Sequence, residues 1–300
     1  MITNLRQLDL NLLLVFDALM QEQNLSRAAV RLHLSQSTVS NALARLRKQL
    51  GEPLFQRTAR GMLPTPQAQV LYGPVREALH VLRTGLAPQA EIDSNSELTF
   101  RVSMNDYAQA VFLPVALTRL QALAPRLVLS EQSDDADTLV KRLRTGELDL
   151  AIDYLHFDDE LRYEPLREEA LVVVASAEHP DIQRQLTLAQ YKEASHVSVH
   201  PRAGRGSPLE IVLGSARVQR KVKLLVPHYL AIPAVVSQSR LLGTIPKALA
   251  EHCAAQYDLQ VFPLPMDLAP IQVSLIWHRQ QDASVGLQWL RRQLQAAADI

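Results

Sequence analysis

Ser35, Gln36, Ser37, Thr38, Ser40 and Asn41 crowd hydroxyl and amide side chains into a single short stretch, and Arg45 and Lys48 follow at one-turn intervals. Amides and hydroxyls can hydrogen-bond base edges in a DNA major groove, while Arg and Lys neutralise phosphates. The chemistry suggested is recognition of double-stranded DNA. A second set of polar residues is spread over four stretches: Ser103, Asn105, Asp106 and Tyr107; Asp153; His200, Arg202, Gly204 and Arg205; and His228 with Tyr229. Strand ends, helix starts and glycine loops expose backbone N–H groups, and arginines add positive charge, so these stretches suit a small organic anion, aromatic in one version. Each member also has a plain reading. The histidines can be hydrogen-bonded loop residues, Asp153 a turn cap, the glycines shapers of a surface loop and the arginines solvated.

The first set needs a helix to hold it. Val39, Leu43, Leu46 and Leu50 recur at i, i+4, i+7 and i+11, so one stripe packs inward and Ser37, Asn41, Ala44 and Lys48 face away. Ser35 is the expected N-cap. Ala28, Ala29 and Leu32 give a preceding short helix its apolar face, and Leu12, Val15, Phe16 and Leu19 predict a first helix from about Asp9 to Gln23. Beyond Gly51, Pro53–Arg57 and Met62–Pro64 are expected as two strands around a Thr58–Gly61 turn, a wing that carries Arg57 and Arg60. Taken alone, such a helical pair is also ordinary globular surface, and a hairpin with two arginines is common.

Thr65 followed by Pro66 marks a strong helix start. The helix should run from Pro66 to about Leu86 with Leu71, Val75, Ala78 and Leu82 on one stripe, bent or loosened at Gly73-Pro74. Ala87–Glu97 is polar and reads as a hinge. Strands are then expected at Leu98–Ser103, Arg126–Glu131 and Leu148–Asp153, with helices at Asp106–Leu123 and Ala136–Thr145 between them. Further strands are expected at Ala170–Ala175, His196–Val199, Arg217–Leu225, Gln260–Pro263 and Ile271–Trp277, and a last helix at about Ala283–Ala298. Alternation of this kind implies mostly parallel sheets flanked by helices. Two α/β lobes joined by crossing strands leave a cleft for a ligand.

Three hundred residues suffice for two or three domains. The formal charge is zero, but it is unevenly placed: up to Thr65 there are eight basic residues against four acidic ones, so a positive N-terminal module precedes a mildly negative body. Cys253, the only cysteine, excludes a disulfide framework and fits a reducing cytoplasm; it is expected as a buried structural thiol. Neither a secretory segment nor an apolar run of about 20 residues is visible. The histidines lack metal-ligand spacing, and no cofactor or metal is expected.

The phrase LSQSTVSNALARLRKQLGEPLFQR resembles the DNA-binding signature of LysR-type transcriptional regulators, with Ser37 standing where the family usually has proline. FRVSMNDYAQAVFLP, HVSV followed by GRGSPLE, and SLIWHRQQDASVGLQWLR are similar to its NodD and NahR branch. The resemblance implies an α/β architecture: a winged helix-turn-helix at 1–65, a linker and dimerisation helix with hinge at 66–97, and an effector-binding domain of periplasmic-binding-protein type at 98–300. In that domain, lobe I would comprise about 98–169 and 271–300, and lobe II about 170–270. It further implies a homodimer or homotetramer on promoter DNA, a small-molecule effector between the lobes, and RNA polymerase as partner.

Two other classes stay open on residues alone. An architectural DNA-binding protein would share the N-terminal module but has no need of a cleft. An enzyme finds little support: Gly204-Arg205-Gly206 begins a dinucleotide fingerprint that Leu209 breaks, and no Walker, HExxH or GxSxG motif is present.

Overall fold

The computed structural model describes residues 9–58, 61–86, 92–132, 136–154, 159–200 and 219–298. The chain falls into two compact units, one running to Pro88 and the other built from most of the remainder.

The first unit opens with α1 (Leu10–Glu22), α2 (Leu25–Arg31) and α3 (Gln36–Leu50). Each helix starts on a capping side chain: Asp9 accepts from the Asn11 N–H, Asn24 from those of Ser26 and Arg27, and Ser35 from that of Thr38. Leu12, Val15, Phe16 and Leu19 are buried with Ala28 and Ala29 of α2 and Val39, Ala42 and Leu46 of α3. On α3 the inward stripe therefore includes Ala42, and Leu43 and Leu50 are only half-buried. The wing consists of β1 (Phe55–Thr58) and β2 (Gly61–Pro64), antiparallel with Thr58 opposite Gly61. It is fastened to the helices where the Met62 N–H donates to the Gln23 carbonyl at 2.8 Å. Gly61 has φ +133°, and a side chain there would overlap that same carbonyl oxygen, so glycine is required.

Helix α4 (Pro66–Leu86) starts on Thr65, whose hydroxyl accepts from the Ala68 N–H and donates to the Pro53 carbonyl. Its assignment continues through Gly73-Pro74. The face that packs on α1 is Ala68, Val75 and Leu79; Ala78 and Leu82, expected on that stripe, are exposed, as are Val70, Val81 and Leu86. The helix thus has one apolar face inside its own unit and a second turned to solvent. Asp17 of α1 is buried, bonded to Gln21 at 2.9 Å, with the Arg76 guanidinium at 3.6 Å.

Among the described residues the second unit contains two five-stranded sheets. The first lobe holds β3 (Thr99–Met104), α5 (Asp106–Val111), α6 (Leu113–Leu123), β4 (Val128–Glu131), α7 (Ala136–Arg144), β5 (Leu150–Asp153) and β6 (Leu161–Glu169). The second holds β7 (Leu171–Ser176), α8 (Leu188–Glu193), β8 (Ser195–Val199), β9 (Lys221–Val226), α9 (Ala231–Ser237), β10 (Leu242–Pro246), α10 (Lys247–Cys253) and β11 (Leu259–Pro263). The chain then returns with β12 (Ile271–His278) and α11 (Val285–Ala298) to complete the first lobe. The strand orders are β4-β3-β5-β12-β6 and β11-β7-β10-β8-β9.

Both sheets are mixed, which corrects the expectation of mostly parallel strands. In each, three neighbouring strands pair in parallel, and the segments that cross between lobes add two antiparallel pairings, around β12 in one sheet and β7 in the other. The single helix expected at Asp106–Leu123 is two, parted at Phe112. Pro114 fits the first turn of α6 but has no N–H to continue α5. The strand expected at Arg217–Leu225 is Lys221–Val226 over the described residues.

Cys253 is buried, and burial raises its thiol pKa. His196 is fully buried; its Nε2–H donates to the Tyr191 carbonyl at 2.7 Å and its ring meets Tyr191 edge-on at 4.6 Å. Burial depresses its pKa to about 4. Trp277 is structural too: the Arg291 guanidinium lies 3.8 Å over its ring and its Nε1–H donates to Asp282 at 2.6 Å. Among the described residues no helix is long and apolar enough to cross a membrane.

Candidate nucleic-acid interface and effector cleft

Helix α3 presents Gln36, Ser37, Thr38, Ser40, Asn41, Ala44, Arg45 and Lys48 to solvent on the side away from the core. At its start the Ser35 hydroxyl contacts those of Ser37 at 2.8 Å and Thr38 at 2.7 Å. Serine at position 37 therefore adds a third hydroxyl to the cap, beside free backbone N–H groups that favour negative charge. Arg45 is ion-paired with Asp9 at 2.9 Å but stays 64% exposed. The α2 arginines are partly neutralised, Arg27 and Arg31 lying 3.4 and 3.2 Å from Glu22. Arg57 is exposed on β1; Arg60 lies outside the described residues.

In the second unit a small cavity of about 20 Å³ lies where the lobes meet. From the first lobe it is lined by Asn105, Tyr107 and Ala108 at the start of α5 and by Ile152, Asp153 and Tyr154 at the end of β5. The crossing strands supply Glu169, Leu171, Ile271 and Val273, and the second lobe adds Tyr229 and Pro246. Asn105 caps α5 by accepting from the Ala108 N–H at 2.9 Å. Asp106 reaches across to accept from the Leu230 N–H at 2.8 Å. The buried Tyr107 hydroxyl donates to the buried Glu169 carboxylate, and burial together with that neighbour raises the phenol pKa. Such a place, at strand C-terminal ends between two α/β lobes, is where open sheets collect ligands.

Two family models cover almost the whole chain: the bacterial regulatory helix-turn-helix protein of the lysR family matches residues 10–69, and the LysR substrate binding domain matches residues 94–299. The chain belongs to the LysR family of transcriptional regulators. This LysR regulator is 34% identical to the HTH-type transcriptional activator NahR of Pseudomonas putida, over 96% of this chain and 97% of that one. It is also 34% identical to the Nodulation protein D 1 of Bradyrhizobium sp. (strain NC92), over 98% and 94%. A solved probable transcriptional regulator from Pseudomonas aeruginosa matches at TM-score 0.74 and 32% identity, covering 97% of this chain and 98% of that one. CbnR, solved in complex with its target DNA, shares the fold at TM-score 0.64 and 17% identity, covering 97% and 100%. The protein is therefore a DNA-binding transcriptional regulator whose effector-binding domain modulates its DNA contacts.

Of the candidate effector residues in this LysR regulator, Asn105, Tyr107, Asp153 and Tyr229 come together around the cavity. Ser103 is buried on β3 opposite Ala151 and does not line it. Asp106 closes on Leu230 at its edge, and His200 and His228 are exposed away from the lining. Arg202, Gly204 and Arg205 lie outside the described residues. Sequence reasoning missed Glu169 and Pro246. Pro246-Lys247 repeats the strand-to-helix junction seen at Met104–Asp106, whereas Glu169 closes a charged strand that gives no local signal.

Proposed function

We propose that α3 enters the major groove, with Gln36, Ser37, Ser40 and Asn41 touching bases and Ser35 and Thr38 supporting the helix start. Arg45, Lys48, Arg57 and Arg60 hold phosphates or the minor groove. The observation that carries this reading is the exposed hydroxyl and amide face of α3 on a three-helix core, with the wing and its exposed Arg57 in the same unit. The protein acts in the cytoplasm as a homodimer or homotetramer on partly palindromic promoter sites, since dimer symmetry demands matching half-sites. It communicates with RNA polymerase and turns over no substrate. The effector is a small organic anion, aromatic in character, bound between the lobes. Tyr107, Tyr154 and Tyr229 with the aliphatic wall suit a flat ring. Arg202 and Arg205 are the residues proposed to meet its charge.

A genome-wide footprint of the purified protein on fragmented DNA from its own source tests the reading. A few sharp sites upstream of genes are expected. Diffuse binding that vanishes at moderate salt would reduce the interface to electrostatic contact and overturn it.

A further inference from the structure

Glu169 is an unexpected wall residue for a ligand pocket. It is the last residue of β6, only 4% exposed, and sits where the chain crosses between lobes. Its carboxylate takes a donor from each side: the Tyr107 hydroxyl in the first lobe and the Ala248 N–H of α10, at 3.1 Å, in the second. The Arg167 guanidinium lies 3.4 Å away. Beside it, Asp106 holds the Leu230 N–H of the second lobe, so two successive residues of α5 tie that helix where the chain crosses between lobes.

The space left is about 20 Å³, room for roughly one water and not for an organic molecule. An effector of aromatic size needs the wall to give way or the lobes to part, and Tyr107 is the wall residue whose hydroxyl ends on the carboxylate. A buried carboxylate deprived of a donor is costly, so an occupant that brings its own donor is favoured over one that does not. We infer that Glu169 determines effector specificity by accepting a hydroxyl of the effector in place of Tyr107, whose phenol is an internal stand-in for a hydroxylated aromatic ligand. This rests on the reading of the interlobe cleft as the effector site and adds the class of group that reaches its floor. The exchange also supplies the differential contact that a ligand must make in order to favour one lobe arrangement, because it releases α5 from the Glu169 tie.

The test is calorimetric titration of the full-length protein with 3- and 4-hydroxybenzoate, their methyl ethers and benzoate. Wild type should bind at least one hydroxylated acid about tenfold more tightly than its methyl ether, because a site built to bond a hydroxyl rejects the analogue lacking it. Glu169→Gln should shrink that ratio. Tyr107→Phe, which removes the competing phenol, should tighten the hydroxylated acids and leave the methyl ethers unchanged, a gain that a purely structural tyrosine would not give. Equal binding of acids and ethers would overturn the inference while leaving the cleft as the effector site. Absence of binding by every acid, with DNA binding intact, would remove the aromatic-acid reading and the inference with it. Uniform weakening of all compounds in Tyr107→Phe would return Tyr107 to a structural role.

Discussion

Arg45 lies 2.9 Å from Asp9, so the first basic residue beyond Asn41 is tied to the side chain that caps α1. The pair is largely exposed, and such pairs contribute about 0–1 kcal/mol, which a DNA phosphate can outbid.

Asp9→Asn separates the charge from the cap, since asparagine caps equally well. Affinity for any duplex should rise, and the salt dependence should steepen by up to about one counterion as Arg45 becomes available to phosphate. Filter binding over a salt series reads both. An unchanged slope would mean that Arg45 does not reach the backbone.

Asn41→Ala should cost on the order of 1–3 kcal/mol on the specific site and little on random DNA. Arg57→Ala should weaken all sequences alike and flatten the salt slope by about 1. Identical behaviour of the two variants on specific and random duplexes would show that α3 is not the reading helix.

Asp17 anchors α1 to α4 from a buried position. Asp17→Ala removes the buried carboxylate that Arg76 and Gln21 share, while Arg76 keeps Tyr72, and should lower the stability of the N-terminal unit by about 1–3 kcal/mol. Urea unfolding followed by a probe in that unit measures this. A loss below about 1 kcal/mol would mean that Asp17 does not anchor α1 to α4.

His196 gives the effector-binding domain an acid sensitivity. Its pKa is depressed from 6.5 to about 4 by burial, so the unfolded chain takes up a proton that the folded one refuses. Stability is therefore full above about pH 6.5 and falls as the pH drops towards 4, by at most about 3 kcal/mol. In His196→Phe the slope over that window should flatten, whatever the variant's stability at neutral pH. A slope equal to wild type would assign the acid loss to carboxylates instead.

Helices with long apolar stripes and strong caps were legible in the sequence: α1, α3 and α4 follow from Phe16, Ser35 and Thr65 with their neighbours. The wing was legible because Gly51 and Gly61 punctuate it. Strand β6 was not, since LRYEPLREE is charged and contains a proline. It forms an edge strand where Pro165 sits opposite Ser274 at a register shift, a place that tolerates a missing N–H. Strand β10 was hidden because LGTIP is short, although all five residues are buried. The cleft was half legible. Strand ends point to Asn105 and Asp153, but Glu169 joins it only through the crossing of the chain between lobes, which no local pattern encodes.

The position of β12 between β5 and β6 also orders the protein's birth on the ribosome. Once synthesis has passed Pro263, every strand of the second lobe exists, yet the first lobe still lacks the strand that joins its two halves. The half begun earlier is finished last, and its exposed β5 edge must wait through the making of more than a hundred residues. A nascent chain stopped before Ile271 leaves that edge open to other chains. Premature termination near the C-terminus thus disables the lobe that was started first.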